Sequence, residues 1–235
     1  MDDDGALRSA VVAGGRRLGA RGLISAGEGN ISVRRSADSL LVVPSGRRKD
    51  ELTPDDILPV SLDPSSPVGP DLAQFATTVR PSSDLAIHRA IYRARADVQA
   101  VVHAHLPAAM ALTLAGEIPD PAALPETALL LPRLPFVPFG TPGSDELAAR
   151  VAAAFAGSDP PLPGAVLLER HGAIAVGATV EEAVNRLELV EVLCRTWRDA
   201  LLIRGAIAVE GARAILRPSS PSPGSPARGR TRRQP

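Results

Sequence analysis

Short apolar runs alternate with helix-like segments along most of this chain, and the alternation restricts the folds that it can form. Strand-like runs bounded by turn residues include "SLLVV", "VQAVVH" and the two halves of "AVLLERHGAIAVG". Helix caps and helical spacing of apolar residues occur in "PSSDLAIHRAIYRARAD" and "TVEEAVNRLELVEVLCRTWRDALLI". Such alternation favours a layered α/β domain over a barrel of hairpins or a helical bundle, and it leaves the strand order open.

Weaker signals predict the remaining elements. Apolar spacing predicts a helix over residues 6–21, and "GLISAGEGNISVR" predicts two short extended pieces around a glycine-rich bend. Thr53 and Pro54 predict the start of a short helix, with a strand following near "ILPVSL". Proline is frequent between 116 and 143, so we expect a long irregular connection there with one strand near "FVPF".

Length and composition fit one folded domain followed by a polar tail. The chain has 235 residues, of which 45% are hydrophobic, enough to bury a sizeable core. Residues 217–235 are rich in proline, serine and arginine and contain no acid, so we expect a disordered tail after a domain that spans 1–216. Basic and acidic residues balance at 26 each over the whole chain, which leaves the domain mildly acidic. Without a basic groove, nucleic acid is not an expected partner.

The sequence also bears on the compartment. Its one cysteine, Cys194, cannot form an internal disulfide, and the first residues, "MDDDGALRSA", are too acidic for a secretion signal. No apolar run approaches the roughly 20 residues that are needed to cross a bilayer. We therefore expect a cytoplasmic protein that has no membrane partner.

Nearly all of the basic residues are arginine. The single lysine, Lys49, lies in "GRRKDEL". A lysine that forms an imine must lose its proton near neutral pH, which usually takes burial in an apolar pocket or close cationic neighbours. This segment has the composition of a solvated one, so we expect neither imine chemistry nor lysine-bound pyridoxal phosphate.

Two histidines stand one residue apart at the end of the apolar run "VQAVVHAHLP". Residues i and i+2 of a strand point to the same side, so His103 and His105 would project together from a strand end. Ligand crevices form at strand ends in layered α/β folds. The pair is therefore either half of a transition-metal site or two packing residues, and the pattern itself leaves both interpretations open.

Other candidate ligands lie far from this pair in the sequence. His171 precedes Gly172 in a turn between two apolar strands, and Asp84 begins a helix, where a carboxylate also suits the helix dipole. Together with the pair, they could surround a divalent metal with three imidazoles and one carboxylate. His88 lies four residues after Asp84, and it either orients that carboxylate from the same helix face or is a buried histidine.

Five motifs occur in order within the stretch from about residue 6 to 204. They are "GLISAGEGNISVR", "VVPSG" followed by "LTPDDI", "RPSSDLAIHRAIYRARADVQAVVHAH", "PFGTPGSDELA" and "LLERHGAIAVG". In this combination the chain resembles the class II aldolase/adducin family, which includes L-fuculose-phosphate aldolase and L-ribulose-5-phosphate 4-epimerase. The resemblance implies a single three-layer α/β/α domain with a central mixed, largely antiparallel sheet.

The resemblance also implies roles for individual residues. The zinc-binding histidines of the family match His103, His105 and His171, and the acidic residue at the metal, which is the catalytic acid/base of the aldolases, matches Asp84. The family holds the substrate phosphate with loops that match Gly29, Asn30, Ser45, Gly46, Ser82 and Ser83. Serine hydroxyls, an amide and glycine-exposed backbone N–H groups can all donate to an anion, and the paired serines precede a helix N-terminus.

The chain departs from the family pattern at three places. The aldolases usually have glutamate where Asp84 stands and the epimerase has aspartate, so this residue does not decide between them. Family enzymes borrow a tyrosine from the C-terminal region of a neighbouring subunit, whereas the one tyrosine here, Tyr92, falls on the helix after Asp84 and is expected in the core or behind the site. The acidic and aromatic segment of the epimerase has no clear counterpart, and Glu126 is either a replacement acid or an exposed loop residue.

The resemblance therefore implies a zinc-dependent aldolase, a carbon–carbon lyase acting on a small, phosphorylated sugar or hydroxy-carbonyl compound through a metal-stabilised enediolate. Asp84 would carry the proton at the carbanion carbon, and another divalent transition metal is an alternative to zinc. Two other interpretations stay open: a 4-epimerase, dehydratase or decarboxylase that uses the same metal site, and a non-catalytic, adducin-like interaction module. A homotetramer is implied as well.

Overall fold

One mixed sheet organises the protein. The computed structural model describes residues 3–65, 80–157 and 159–215, and within these ranges seven strands form the sheet. They are β1 (Asn30–Arg34), β2 (Ser39–Val42), β3 (Leu58–Ser61), β4 (Ala100–Ala104), β5 (Phe136–Val137), β6 (Ala165–Leu168) and β7 (Gly172–Gly177). Their order is β3-β2-β1-β4-β7-β6-β5, and only the β5–β6 pair is parallel. The predicted mixed, largely antiparallel sheet is thereby confirmed.

Helices cover both faces of this sheet. They are α1 (Asp3–Ala20), α2 (Leu85–Ala94), α3 (Pro107–Leu114), α4 (Pro125–Leu130), α5 (Asp145–Ala156) and α6 (Val180–Ile215). On one face, α2 and α5 contact each other and enclose a core that includes Ile91, Val101 and Phe155. On the other face, Gly14 of α1 lies against Ile31 of β1 and Val184 of α6. The three-layer α/β/α arrangement is confirmed.

The chain divides into two compact units. The first, Met1–Arg198, contains the sheet, and the second is Asp199–Pro235, of which the structure describes helical residues up to Ile215. No helix among the described residues is both long enough and apolar enough to cross a membrane. The predicted end of the domain at residue 216 and the tail 217–235 lie outside the described residues, so both stay predictions.

Two local predictions differ from the structure. Only the second of the two extended pieces predicted in "GLISAGEGNISVR" is a strand, because Ala26 and Gly29 take positive φ values of 48° and 76° that interrupt extended backbone. The connection 116–143 contains the short helix α4 and a 3₁₀ turn (Pro121–Ala123) that we did not predict. Pro121 and Pro125 begin these two pieces, since proline is tolerated in the first helical turn.

A buried polar cluster joins α2 to β1. Ser32 Oγ lies 2.6 Å from His88 Nδ1 and 3.1 Å from the Tyr92 hydroxyl, which donates to the Ser32 carbonyl at 3.0 Å. Burial lowers the pKa of His88 to about 3 and raises the pKa of Tyr92. His88 is thus a neutral core histidine that contacts Ser32, and Tyr92 belongs to the core, one of the two places expected for it.

The burial of His88 should make stability depend on pH. An unfolded histidine takes up a proton near pH 6.5, whereas the folded protein keeps His88 neutral down to about pH 3. The free energy of unfolding should therefore be highest above pH 6.5 and fall as the pH drops towards 3, with His88 contributing a slope of up to about 1.4 kcal/mol per pH unit. Denaturant unfolding of metal-free wild type and of His88→Gln should give a shallower pH slope for the variant. Equal slopes in the two proteins would contradict this assignment.

Candidate metal centre

The end of β4 presents two histidines at the centre of the sheet. β4 lies between β1 and β7, and in this register His103 pairs with Asn30 on one side and Ile174 on the other. The His103 side chain is fully buried, and its Nδ1 lies 3.0 Å from the Ala173 carbonyl oxygen. Since a carbonyl can only accept, Nδ1 carries the hydrogen and the lone pair is on Nε2. This Nε2 atom is buried and has no hydrogen-bond partner among the described residues.

A tight turn between β6 and β7 brings the third histidine to the same place. Arg170 and Gly172 have positive φ values of 58° and 87° on either side of His171. A Cβ on Gly172 would overlap the Ala104 carbonyl oxygen, so only glycine permits the turn to lie this close to β4. The Arg170 N–H donates to Thr113 Oγ1 at 3.0 Å and anchors the turn to α3.

The three imidazoles face one another. Candidate ligand nitrogens of His103, His105 and His171 lie within 4.8 Å of one another, and the ring centroids are 4.7 to 5.0 Å apart. Zinc holds imidazole nitrogens at roughly 2.0 to 2.1 Å, so small side-chain movements suffice for the three to share an ion. Burial, reinforced by the neighbouring histidines, lowers the pKa of His103, and burial also lowers the pKa of His171. Both rings are therefore neutral, as metal ligands must be.

Asp84 adds a carboxylate to this group. It is the N-cap residue of α2, but its side chain makes no capping hydrogen bond, and it is largely buried. Its Oδ2 lies 3.9 Å from His103 Nε2, so the carboxylate faces the atom that carries the free lone pair. The structure thus brings together all four residues that the sequence offered as candidate ligands, from three separate segments. The chemistry of this donor set fits a divalent transition metal.

The three loops expected to hold a phosphate are neighbours of one another. A Cβ on Gly27 would lie 2.9 Å from the carbonyl carbon of Gly46, so the first two loops touch through their backbones. The Ser45 N–H donates to the Arg80 carbonyl at 2.8 Å, which joins the second loop to the segment before Ser82. The first and third loops also adjoin the metal centre, because Asn30 pairs with His103 and Ser83 precedes Asp84.

A sequence model for the class II aldolase and adducin N-terminal domain matches residues 9–198. The chain belongs to this family. It is 32% identical over 201 residues to a 3-oxo-tetronate 4-phosphate decarboxylase of Cupriavidus necator, covering 84% of this chain and 86% of the relative. It is 35% identical over 196 residues to a methylthioribulose-1-phosphate dehydratase of Acidiphilium cryptum, covering 78% and 85%. The crystal structure of L-fuculose-1-phosphate aldolase from Thermus thermophilus superposes with a TM-score of 0.71 at 30% identity, covering 85% and 96%.

In this class II aldolase family member, the expectation that Lys49 lies in a solvated segment is wrong. Lys49 is only 2% exposed, and its Nζ donates to the carbonyls of Gly27 and Arg47, both at 2.7 Å. Burial lowers the pKa of Lys49, and the charge of Asp84 opposes this shift. Gly15 makes the burial possible, because a Cβ on this residue of α1 would overlap the Lys49 carbonyl. In the sequence, the one local sign that Lys49 lies close to α1 was the presence of glycines within the helix predicted over residues 6–21.

Sequence reasoning also missed Glu28. Its Oε2 lies 3.1 Å from His105 Nδ1, in the glycine-rich loop that leads into β1. The only local sign was an acidic residue directly before the glycine of a loop that precedes a strand. Glu126, by contrast, lies exposed in the first turn of α4. This exposure fits the interpretation of Glu126 as an exposed residue rather than as a replacement acid.

Metal content should follow the three histidines of the centre. Zinc-equilibrated wild type should retain about one ion per chain after dialysis. His103→Ala and His171→Ala should lose most of that metal, because each removes one of three nitrogen ligands. His88→Gln is the matched control, since His88 is the fourth histidine and is bonded to Ser32. Inductively coupled plasma mass spectrometry measures the content, and full occupancy in both alanine variants would refute the site.

Proposed function

We propose that this family member is a zinc-dependent aldolase that cleaves a carbon–carbon bond in a small, phosphorylated sugar or hydroxy-carbonyl compound. The observation that carries the proposal is the cluster of three imidazoles with the Asp84 carboxylate 3.9 Å from His103 Nε2. Three protein nitrogens leave at least one coordination position for substrate, as catalytic rather than structural metal sites do. An ion held there would act as a Lewis acid that stabilises the negative charge developing on the substrate oxygens.

The ligand residues prepare this site before the metal binds. The Ala173 carbonyl fixes the ring of His103, and the 170–172 turn fixes the backbone of His171. Burial keeps His103 and His171 neutral. Because the three rings are already close together, little reorganisation is required on binding, and this favours both metal affinity and a fixed orientation of substrate.

Asp84 is the proposed proton carrier. When the carbon–carbon bond breaks, the hydroxyl group of one fragment loses its proton and becomes a carbonyl. The other fragment keeps the electron pair as a carbanion next to its carbonyl group, and that carbon must take up a proton. Asp84 is a carboxylate beside the metal centre. Because it is the N-cap residue of α2, its backbone is held in place, and the carboxylate would meet the same substrate atom in each catalytic cycle. Positioned acid/base groups of this kind contribute about 10²- to 10⁴-fold to a rate.

The phosphate of the substrate would bind to the three adjoining loops. Gly29 and Asn30, Ser45 and Gly46, and Ser82 and Ser83 supply amide, hydroxyl and backbone N–H donors. Ser82 and Ser83 also precede the N-terminus of α2, where the helix dipole favours an anion. The decarboxylase, dehydratase and aldolase relatives are all named after phosphorylated compounds, which supports this assignment.

A dehydratase is the second candidate, because the relative of that name shares 35% identity over 196 residues. Dehydration through removal of an α-proton, decarboxylation and aldol cleavage each pass through a carbanion next to a carbonyl group, so one metal site can serve all three. A 4-epimerase would cleave and rejoin the same bond. An adducin-like interaction module without catalysis is disfavoured, since it would have no use for three converging imidazoles. We also propose that the protein is cytoplasmic and that it assembles as a homotetramer.

Product analysis distinguishes these reactions. With zinc present, the protein should release dihydroxyacetone phosphate from one or more ketose 1-phosphates, detected by coupled reduction with glycerol-3-phosphate dehydrogenase. A panel of 3-oxo acid phosphates and pentulose 5-phosphates tests decarboxylation and epimerisation in parallel, and a dehydration product is identified by a mass loss of one water. Turnover in one of these parallel assays without any aldol cleavage would replace the aldolase proposal.

Replacing the proton carrier should lower the rate rather than substrate binding. Asp84→Asn keeps the size of the side chain but removes its basicity, so kcat should fall by at least about 100-fold at saturating zinc and substrate. Asp55→Asn, at an exposed acid of the 3₁₀ turn Pro54–Asp56, should match wild type. Unchanged turnover in Asp84→Asn would remove Asp84 from the mechanism.

A serine of the phosphate loops should affect KM instead. Ser83 is exposed, so Ser83→Ala removes a hydroxyl without opening the core. Loss of a hydrogen bond to a charged phosphate should raise KM about tenfold or more, with little change in kcat. Ser36→Ala, in the exposed turn between β1 and β2, controls for the substitution itself. An unchanged KM would show that this loop does not hold the phosphate.

A further inference from the structure

Glu28 is held in a fixed position beside the metal centre. Its Oε1 accepts hydrogen bonds from the Ser25 N–H at 2.8 Å and from Ser25 Oγ at 2.9 Å. Its Oε2, on the other side of the carboxylate, lies 3.1 Å from His105 Nδ1. The backbone supports this geometry, because the Glu28 N–H donates to the Ser25 carbonyl at 3.2 Å. The two oxygens of one carboxylate therefore connect the glycine-rich loop to a candidate metal ligand.

We propose that Glu28 is a positioning residue that orients His105 for the metal ion and thereby attaches the loop 25–30 to the metal centre. A ring that donates from Nδ1 to a carboxylate has its lone pair on Nε2, which is then the atom available to a metal. The negative charge of the partner also makes that nitrogen a stronger donor and prevents the ring from rotating. The inference rests on the proposed metal site but on no particular reaction.

His105 needs such a partner more than His103 does. The His103 side chain is fully buried, so packing and the Ala173 carbonyl together determine its orientation. The His105 side chain is 24% exposed and lies at the open end of β4, where packing constrains it less. The Glu28 carboxylate, with its Oε2 3.1 Å from His105 Nδ1, supplies the missing constraint. Of the three histidines, His105 is the one whose ring nitrogen lies within hydrogen-bonding distance of an acidic side chain in the described part of the chain.

The same contact has a consequence for the loop. Gly27 and Gly29, on either side of Glu28, already hold the backbone: the Gly27 carbonyl accepts from Lys49, and a Cβ on Gly29 would lie 3.1 Å from the His103 carbonyl oxygen. The Glu28 side chain adds a link that strengthens when His105 is bound to a metal. Metal binding should therefore rigidify residues 25–30, which include the Gly29 and Asn30 proposed for the phosphate. By linkage, a more rigid loop should in turn increase metal affinity.

Zinc affinity tests the first part of the inference. Competition with a chromogenic chelator should give a dissociation constant for Glu28→Ala that is about 10- to 100-fold weaker than that of wild type. Glu28→Gln should weaken binding less, because its amide oxygen still accepts the Nδ1 hydrogen without a charge. Glu146→Gln, whose native side chain is 83% exposed in α5, is the matched control and should bind as wild type does.

Two outcomes of this titration have separate meanings. Equal zinc affinity in Glu28→Ala and wild type would overturn the role of Glu28. If wild type itself bound no zinc, the metal centre and the proposed function would both fail. The metal-free variants should unfold at the temperature of wild type, and if Glu28→Ala does not fold, Glu28→Gln and Ser25→Ala provide the same comparison with smaller expected effects.

Hydrogen exchange tests the second part without any use of activity. Zinc should slow the exchange of the Ser25 and Glu28 amides in wild type by about fivefold or more, because both amides donate within the turn that Glu28 closes. At saturating zinc, Glu28→Ala should lose this protection while the amides of β4 keep theirs. Equal protection of the loop in both proteins would show that zinc orders it by another route.

Discussion

The contact between the 170–172 turn and the end of β4 is the interaction on which the site depends. Gly172 lies so close to the Ala104 carbonyl that no side chain fits, and its φ of 87° suits glycine. Because β4 and β7 are adjacent and antiparallel, this contact places His171 beside the His103 and His105 pair. Backbone pairing at the centre of the sheet therefore sets the distance between ligands that are remote in sequence.

Burial gives these ligands their chemical state at a cost to stability. The pKa values of His103 and His171 are lowered chiefly by burial, so both rings offer lone pairs rather than positive charge. His103 Nε2 and His171 Nδ1 nevertheless have no hydrogen-bond partner among the described residues. A buried polar atom without a partner costs about 1 to 3 kcal/mol, and a metal ion at His103 Nε2 would offset part of that cost. Since His88 Nε2 in the core also has no partner among the described residues, it is the convergence of three imidazoles on one point that binding explains better than packing does.

Contacts outside the site hold the surrounding loops in position. Glycines in α1 allow the segment around Lys49 to lie against the helix, and the buried lysine then connects the loops at Gly27 and Arg47 through their carbonyls. Glu28 extends the same set of contacts to His105. The loops proposed to bind phosphate and the candidate metal ligands thus rest on one scaffold of α1, β1 and β4, an arrangement that would hold two groups of one substrate at a fixed separation.

Local patterns in the sequence determined the parts of this protein that depend on near neighbours. The alternation along "VQAVVHAH" predicts that His103 and His105 share a face, and the His171–Gly172 pair predicts a turn. Non-local facts could not be obtained in this way. The strand order, the burial of Lys49 and the contact between Glu28 and His105 arise where segments far apart in sequence meet, and no periodicity encodes such a meeting. Only the tertiary structure decided them, because each depends on the space between packed elements rather than on the preferences of one segment.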